Sequence, residues 1–202
     1  MPFYVLKLGG SLMSVSRDLV RALLELTAEG YSFLVIPGGG PMADLVRDLY
    51  SRYSISQEAA HWMAVLAMEQ YAYFLADGTG AKLTRKIQRP DGLEILLPYN
   101  AFLEDDSGLC HSWEYTSDSI AALVALRLDA PLIKATDVEG VILNGQVMKE
   151  VRASALLGRE TCIDQGALRL MKGRSCWVIC GLDPGRFISS LRRGEGGTII
   201  NG

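Results

Sequence analysis

Apolar runs alternate with amphipathic stretches along the chain, and the alternation predicts a strand–helix–strand order. Phe3-Tyr4-Val5-Leu6 has strand composition and is broken soon after by Gly9-Gly10. Leu19, Val20, Leu23, Leu24 and Thr27 then recur at helical spacing, so a helix is expected over 16–29, with Ser16 at its start and Gly30 as its stop. Residues 32–36 form a near-continuous apolar run, which suits a strand covered on both faces. Together these make a βαβ unit with a right-handed crossover. Farther on, a helix is expected over 54–75 with Ser54 and Gln57 as a capping box. A strand over 93–97, a loop over 98–108 and a helix from Thr116 or Ser117 to 128 follow. Next come a strand over 131–135, an Asn144-Gly145 hairpin and helical pieces over 153–157 and 164–170. A strand over 176–180, a helix over 184–191 and a terminal strand over 197–200 close the chain. No internal repeat or linker interrupts the pattern, which reads as α/β.

Two of these strands end in glycine-rich turns that open helices. The first turn is Lys7-Leu8-Gly9-Gly10-Ser11 and the second Pro37-Gly38-Gly39-Gly40-Pro41. Glycine lets backbone N–H groups approach phosphate oxygens, a helix N-terminus adds partial positive charge, and Lys7 adds a full one. In open parallel sheets ligands bind outside the carboxyl ends of strands, so the pair says more than either turn alone. No G-x-G-x-x-G follows the first strand, so a nicotinamide site lacks its fingerprint.

Composition narrows the classes. The chain has 202 residues, enough for one substantial core, and a net charge of −3 with scattered basic residues, which gives no reason to expect a nucleic-acid partner. No apolar run approaches the roughly 20 residues a membrane span needs. Cys110, Cys162, Cys176 and Cys180 form no CxxC pair and no zinc spacing, so reduced cysteines in a cytoplasmic protein are expected, with no metal site. His61 lies on a predicted helix and His111 beside Cys110; either is a catalytic candidate, although a lone helical histidine is more often structural. Asp118 falls in the first turn of a predicted helix, either as a dipole-stabilising residue or as one that orients lysines.

The motifs in order resemble the amino acid kinase superfamily. The resemblance rests on Lys7 to Ser11, Gly38-Gly39-Gly40, Thr116 to Ala122, Lys134-Ala135-Thr136-Asp137-Val138-Glu139-Gly140-Val141 and Gly197-Thr198. It implies a three-layer αβα sandwich with a mostly parallel central sheet. One kinase domain over 1–202 would hold an acceptor lobe (1–128) and a nucleotide lobe (129–202). By the same resemblance Lys7, Asp118 and Lys172 are catalytic, and Gly9, Gly10, Ser11, Thr136, Asp137, Val138 and Gly140 border nucleotide and phosphate. Gly38, Gly39 and Gly40 line the acceptor side. ATP and Mg²⁺ are implied, with a small-molecule phosphoryl acceptor and a homo-oligomer formed through an N-terminal-lobe helix.

The stretches around His61 and His111 are similar to a narrower group, the short archaeal kinases of methanofuran biosynthesis. That similarity implies phosphorylation of a furanylmethyl phosphate to its diphosphate, with Asp44 or Glu69 as the candidate for a substrate ammonium on charge alone. Pro41-Met42-Ala43-Asp44 lacks the histidine that isopentenyl phosphate kinases place there, and Gly9-Gly10 stands where uridylate kinases have serine-glycine. The alternatives are a kinase for UMP or an amino acid carboxylate, and a non-catalytic nucleotide sensor.

Overall fold

A computed structural model describes residues 2–202. The strands are β1 (Phe3–Leu8), β2 (Ser32–Pro37), β3 (Lys82–Thr84), β4 (Leu93–Leu96), β5 (Leu132–Thr136), β6 (Ile142–Leu143), β7 (Gln146–Val147), β8 (Glu150–Arg152), β9 (Ser175–Cys180) and β10 (Thr198–Asn201). The helices are α1 (Ser16–Thr27), α2 (Gly40–Tyr53), α3 (Gln57–Ala76), α4 (Pro98–Phe102), α5 (Ser117–Arg127), α6 (Ala153–Leu156), α7 (Gln165–Leu170) and α8 (Pro184–Arg193). A 3-10 turn over Gly10–Leu12 follows β1.

Eight strands form one sheet in the order β3-β4-β2-β1-β5-β9-β10-β8, while β6 and β7 make the expected hairpin apart from it. Every neighbouring pair in the large sheet is parallel except β9 with β10. The mostly parallel α/β architecture is as expected. The central strands are buried along almost their whole length because helices cover both faces.

Side-chain alternation assigns the faces. Leu6, Leu8, Ile133 and Ala135 pack with α1 and α8, through residues such as Leu19, Leu23, Phe187 and Leu191. Val5 and Leu132 point the other way, into a cluster with Ile120, Leu123 and Val124 of α5. The period of two along a strand then decides where the lysines go: Lys7 shares the face of Val5, and Lys134 that of Leu132. Both therefore point toward α5.

Several boundaries differ from the sequence expectations. Ser54 does not cap α3; it ends α2 in a left-handed conformation (φ 50°), and Ser56 is the cap, its hydroxyl accepting from Ala59 N–H. Residues 98–102 are helical rather than loop, with Pro98 in the first turn. β3 and β8, each three residues long, lie at the two edges of the sheet.

Candidate active site

Lys7 and Lys134 are Cα partners on adjacent strands, and both reach the first turn of α5. Lys7 Nζ lies 2.9 Å from Asp118 Oδ1, an ionic contact rather than a directed hydrogen bond. Lys134 Nζ donates to Asp118 Oδ2 and to the Cys162 carbonyl. All three side chains are less than a tenth exposed. Burial works against each charge, and the outcomes differ. The two lysines overcome burial at Asp118 and hold its carboxyl well below the usual carboxylate range. At Lys134 the adjacent carboxylate outweighs burial and raises the pKa. At Lys7 burial wins, helped by repulsion from Lys134, and the pKa falls. The cluster sets two lysines against the Asp118 carboxylate, and Lys7 is the lysine whose charged form its surroundings favour less.

Asp164 fixes this arrangement. Its carboxylate caps α7 through Ala167 N–H at 2.7 Å and accepts from the N–H and hydroxyl of both Thr116 and Ser119. Its own N–H donates to Asp118 Oδ2 at 3.2 Å. The starts of α5 and α7 are thus tied through one side chain, which positions Asp118 between the lysines.

The cluster lies in a cleft at the carboxyl ends of β1, β2 and β5. Gly9, Gly10, Ser11, Gly39, Gly40, Thr136, Asp137 and Val138 line it with the lysines and Asp118. The glycine turns touch: a Cβ on Gly10 would sit 2.3 Å from Gly40 N, so Gly10 has no room for a side chain, while Gly40 is suited to glycine by its left-handed backbone (φ 55°). Gly9 N–H is already spent on the Ala135 carbonyl (3.0 Å), which leaves Gly10 and Ser11, at the start of the 3-10 turn, as the backbone donors there. The α-helix that begins at the cleft from the first turns is α2, not α1, which starts only at Ser16; α5 supplies a second N-terminus. Ser11 Oγ donates to Asp137 Oδ1 at 2.9 Å, joining the first turn to the one after β5.

Three expected site residues lie elsewhere. Gly38 sits behind the turn, its N–H donating to the Leu8 carbonyl at 2.8 Å. Gly140 (φ 154°) packs on Thr198 Oγ1. Thr198 in turn accepts from Val141 N–H at 2.9 Å, so the terminal motif braces the loop after β5. Lys172 is exposed at the opposite end of the strands, beside the starts of β5 and β9, in a hollow with Asp129, Pro131 and Asn201. It follows α7, whose far end points away from the cleft. The second lysine on Asp118 is Lys134, from within β5.

A narrow apolar pocket opens beside the cleft and shares Gly39, Ala43, Arg47, Thr116 and Ser117 with it. Val65 and Met68 of α3, Ile120 of α5 and the rings of Trp113 and Tyr115 form its walls. Arg47 lies over the Trp113 ring at 5.5 Å and pairs with Asp44 at 2.6 Å. His61 also lines the pocket and is not alone, since its ring stacks on His111 at 4.0 Å. Glu69 is occupied elsewhere, accepting from the backbone and side-chain amides of Asn100.

The residue chemistry fits an anion. Both Asp118 oxygens face lysines, Asp137 accepts from hydroxyls, and among the described residues no three His, Cys, Asp or Glu side chains converge as a metal site. Paired lysines and backbone donors at helix starts are what phosphoryl transfer needs, because its loose transition state spreads negative charge over equatorial oxygens.

Residues 2–88 match the model of the amino acid kinase family. A relative from Methanocaldococcus jannaschii, [5-(aminomethyl)furan-3-yl]methyl phosphate kinase, is 32% identical over 202 residues, covering 93% of this chain and 92% of its own. The chain belongs to the amino acid kinase family. Among solved structures it is similar to uridylate kinase from Archaeoglobus fulgidus (TM-score 0.72, 20% identity, 98% of this chain and 99% of that one). UMP kinase from Ureaplasma parvum is similar too (TM-score 0.75, 14% identity, 100% and 99%). These two share the kinase fold. Within it, Lys7, Asp118 and Lys134 form the charged centre of this member.

Proposed function

We infer that the chain transfers the γ-phosphoryl group of MgATP to [5-(aminomethyl)furan-3-yl]methyl phosphate, giving ADP and the furanylmethyl diphosphate. The observation that carries this reading is the shared wall between the lysine cleft and the apolar, aromatic-walled pocket. A flat furan ring suits Trp113, Tyr115 and Met68, and a phosphate suits Arg47 and the cleft. The relative from M. jannaschii supplies the acceptor's identity.

The acceptor phosphate is already an anion, so its oxygen attacks the γ-phosphorus without a general base. Lys7 and Lys134 stabilise the charge that spreads over the transferring group, Asp118 keeps the two lysines apart and aimed, and Gly10 and Ser11 donate backbone N–H groups. Thr136, Asp137 and Val138 border the nucleotide. Mg²⁺ belongs to the nucleotide substrate. We extend the reading to a cytoplasmic homo-oligomer. No helix among the described residues is long and apolar enough to cross a membrane, and α2 and α3 leave Leu45, Tyr53, Leu66 and Tyr73 exposed for a partner copy.

The test is ADP release with MgATP and a panel of acceptors: the furan phosphate, UMP, acetylglutamate, aspartate and isopentenyl phosphate. Turnover confined to the furan phosphate is the expected result. Preference for another acceptor would keep the chemistry and overturn the substrate.

A further inference from the structure

His61 is a buried polar side chain on a mostly apolar wall. It is 7% exposed, it lines the pocket, and its Nε2 is buried with no hydrogen-bond partner. Buried nitrogens are nearly always paired, so an unpartnered one on a residue that lines a pocket points to a ligand atom.

The surroundings say what kind. The His61 ring stacks on His111 (4.0 Å, 12° between planes) and meets Trp62 edge-on at 5.4 Å. Both ring nitrogens of His111 are bonded to carboxylates, Nδ1 to Glu58 and Nε2 to Asp106 at 2.8 Å. Burial lowers the His111 pKa, but the two carboxylates overcome it and raise it, which favours the imidazolium that donates from both nitrogens. Burial first, and this stacked cation second, push His61 down to about 4, so it stays neutral at physiological pH. Behind the neutral ring, Glu58 and Asp106 outnumber the one positive charge of His111. A fixed lone pair among aromatic walls, beside a His111 whose two ring nitrogens are bonded to carboxylates, suits a group that donates hydrogen bonds, such as an amine. Arg47 and the lysine cleft, on the shared wall, suit the anionic end of the same molecule.

We propose that His61 reads the amine of the phosphoryl acceptor: Nε2 accepts a hydrogen bond from a primary ammonium while the ring it hangs from fills the pocket. Of the earlier candidates for this role, Glu69 is bound to Asn100 and Asp44 is paired with Arg47. The inference rests on the furan phosphate reading in one respect, that the acceptor carries a phosphate at one end and an amine at the other.

The experiment compares the wild type, His61→Phe and His61→Gln with the furan phosphate and with its 5-methyl analogue, which lacks the amine. Phenylalanine keeps a ring for the stack and removes the nitrogen; glutamine returns an acceptor oxygen near the Nε2 position. The wild type is expected to favour the amine substrate. His61→Phe is expected to raise its KM by about 10- to 100-fold with kcat within about threefold, and to leave the KM of the methyl analogue nearly unchanged. His61→Gln recovers part of the preference and decides the matter if the phenylalanine variant does not fold. An equal rise in KM for both substrates, or a wild type indifferent to the amine, overturns the role of His61 and leaves the furan phosphate assignment standing. Failure of the wild type to use the furan phosphate at all overturns both.

Discussion

Lys7 and Lys134 stand opposite one another on neighbouring parallel strands, and the carboxylate of Asp118 holds both. Removing its charge leaves two buried ammonium groups facing each other. Asp118→Asn is expected to lower stability by about 3–5 kcal/mol, as for other broken buried ion pairs, and to reduce turnover sharply. Part of the lost stability returns with MgATP, because phosphate replaces the missing negative charge. Urea unfolding with and without nucleotide checks this. A variant that nucleotide does not stabilise would argue against phosphate binding at the lysines.

The two candidate second lysines are separable by substitution. Lys134→Met is expected to cut kcat/KM by about 10²- to 10³-fold, the usual effect of removing one electrostatic donor at a reacting centre. Lys172→Met, at the opposite end of the strands, is expected to stay within about twofold. Steady-state ADP release on both variants decides between them.

Gly10→Ala places a methyl group 2.3 Å from Gly40 N and 2.4 Å from its Cα. Both atoms are backbone, so the two turns must move apart. A displacement of about 1 Å at a site that works by alignment costs on the order of 10² in rate. Turnover is expected to fall by that much while the far-ultraviolet circular dichroism spectrum is retained.

Stability is expected to fall as pH drops from about 6.5 to about 4. His61 has a folded pKa near 4, below its unfolded value of about 6.5, so in that window the unfolded chain binds the extra proton. His111 acts in the opposite sense. Its raised pKa gives a contribution that is complete below about 6.5 and is lost as pH rises through the folded value. Asp118 is depressed, so its loss comes at lower pH, below about 4. Chemical denaturation from pH 4 to 7 on the wild type and His61→Phe tests the assignment; the variant is expected to show a flatter acid limb.

The long central elements were legible because their burial is written into composition. β2 is fully buried and reads as a continuous apolar run, and α1 shows its buried Leu19, Val20 and Leu23 at helical spacing. The glycine turns were legible because only glycine tolerates their contact. Lys134 was missed as a cluster member because its partner is set by sheet order: β5 pairs with β1 across 127 positions of sequence, and no local pattern records that register. Its sign was nonetheless present, a lysine within an otherwise apolar strand. The stacking of His61 on His111 is likewise a long-range contact, between a helix and a loop, so each looked solitary. β3 and β8 escaped because three-residue edge strands carry too little alternation to read. The cap of α3 was misassigned between two serines, Ser54 and Ser56, that differ only in backbone conformation.

The meeting of Gly10 with Gly40 has a consequence for how such a chain can diversify. The spacing between the turn after β1 and the turn after β2 is set by main chain against main chain, with no side chain between them. The pocket beyond is built from side chains of α2, α3, α5 and the loop before α5. Substitutions along those segments can exchange one acceptor for another while the gap across which the phosphoryl group travels keeps its length. The molecule thus separates a fixed gauge from a replaceable mould, and natural variation is free to act on the second without disturbing the first.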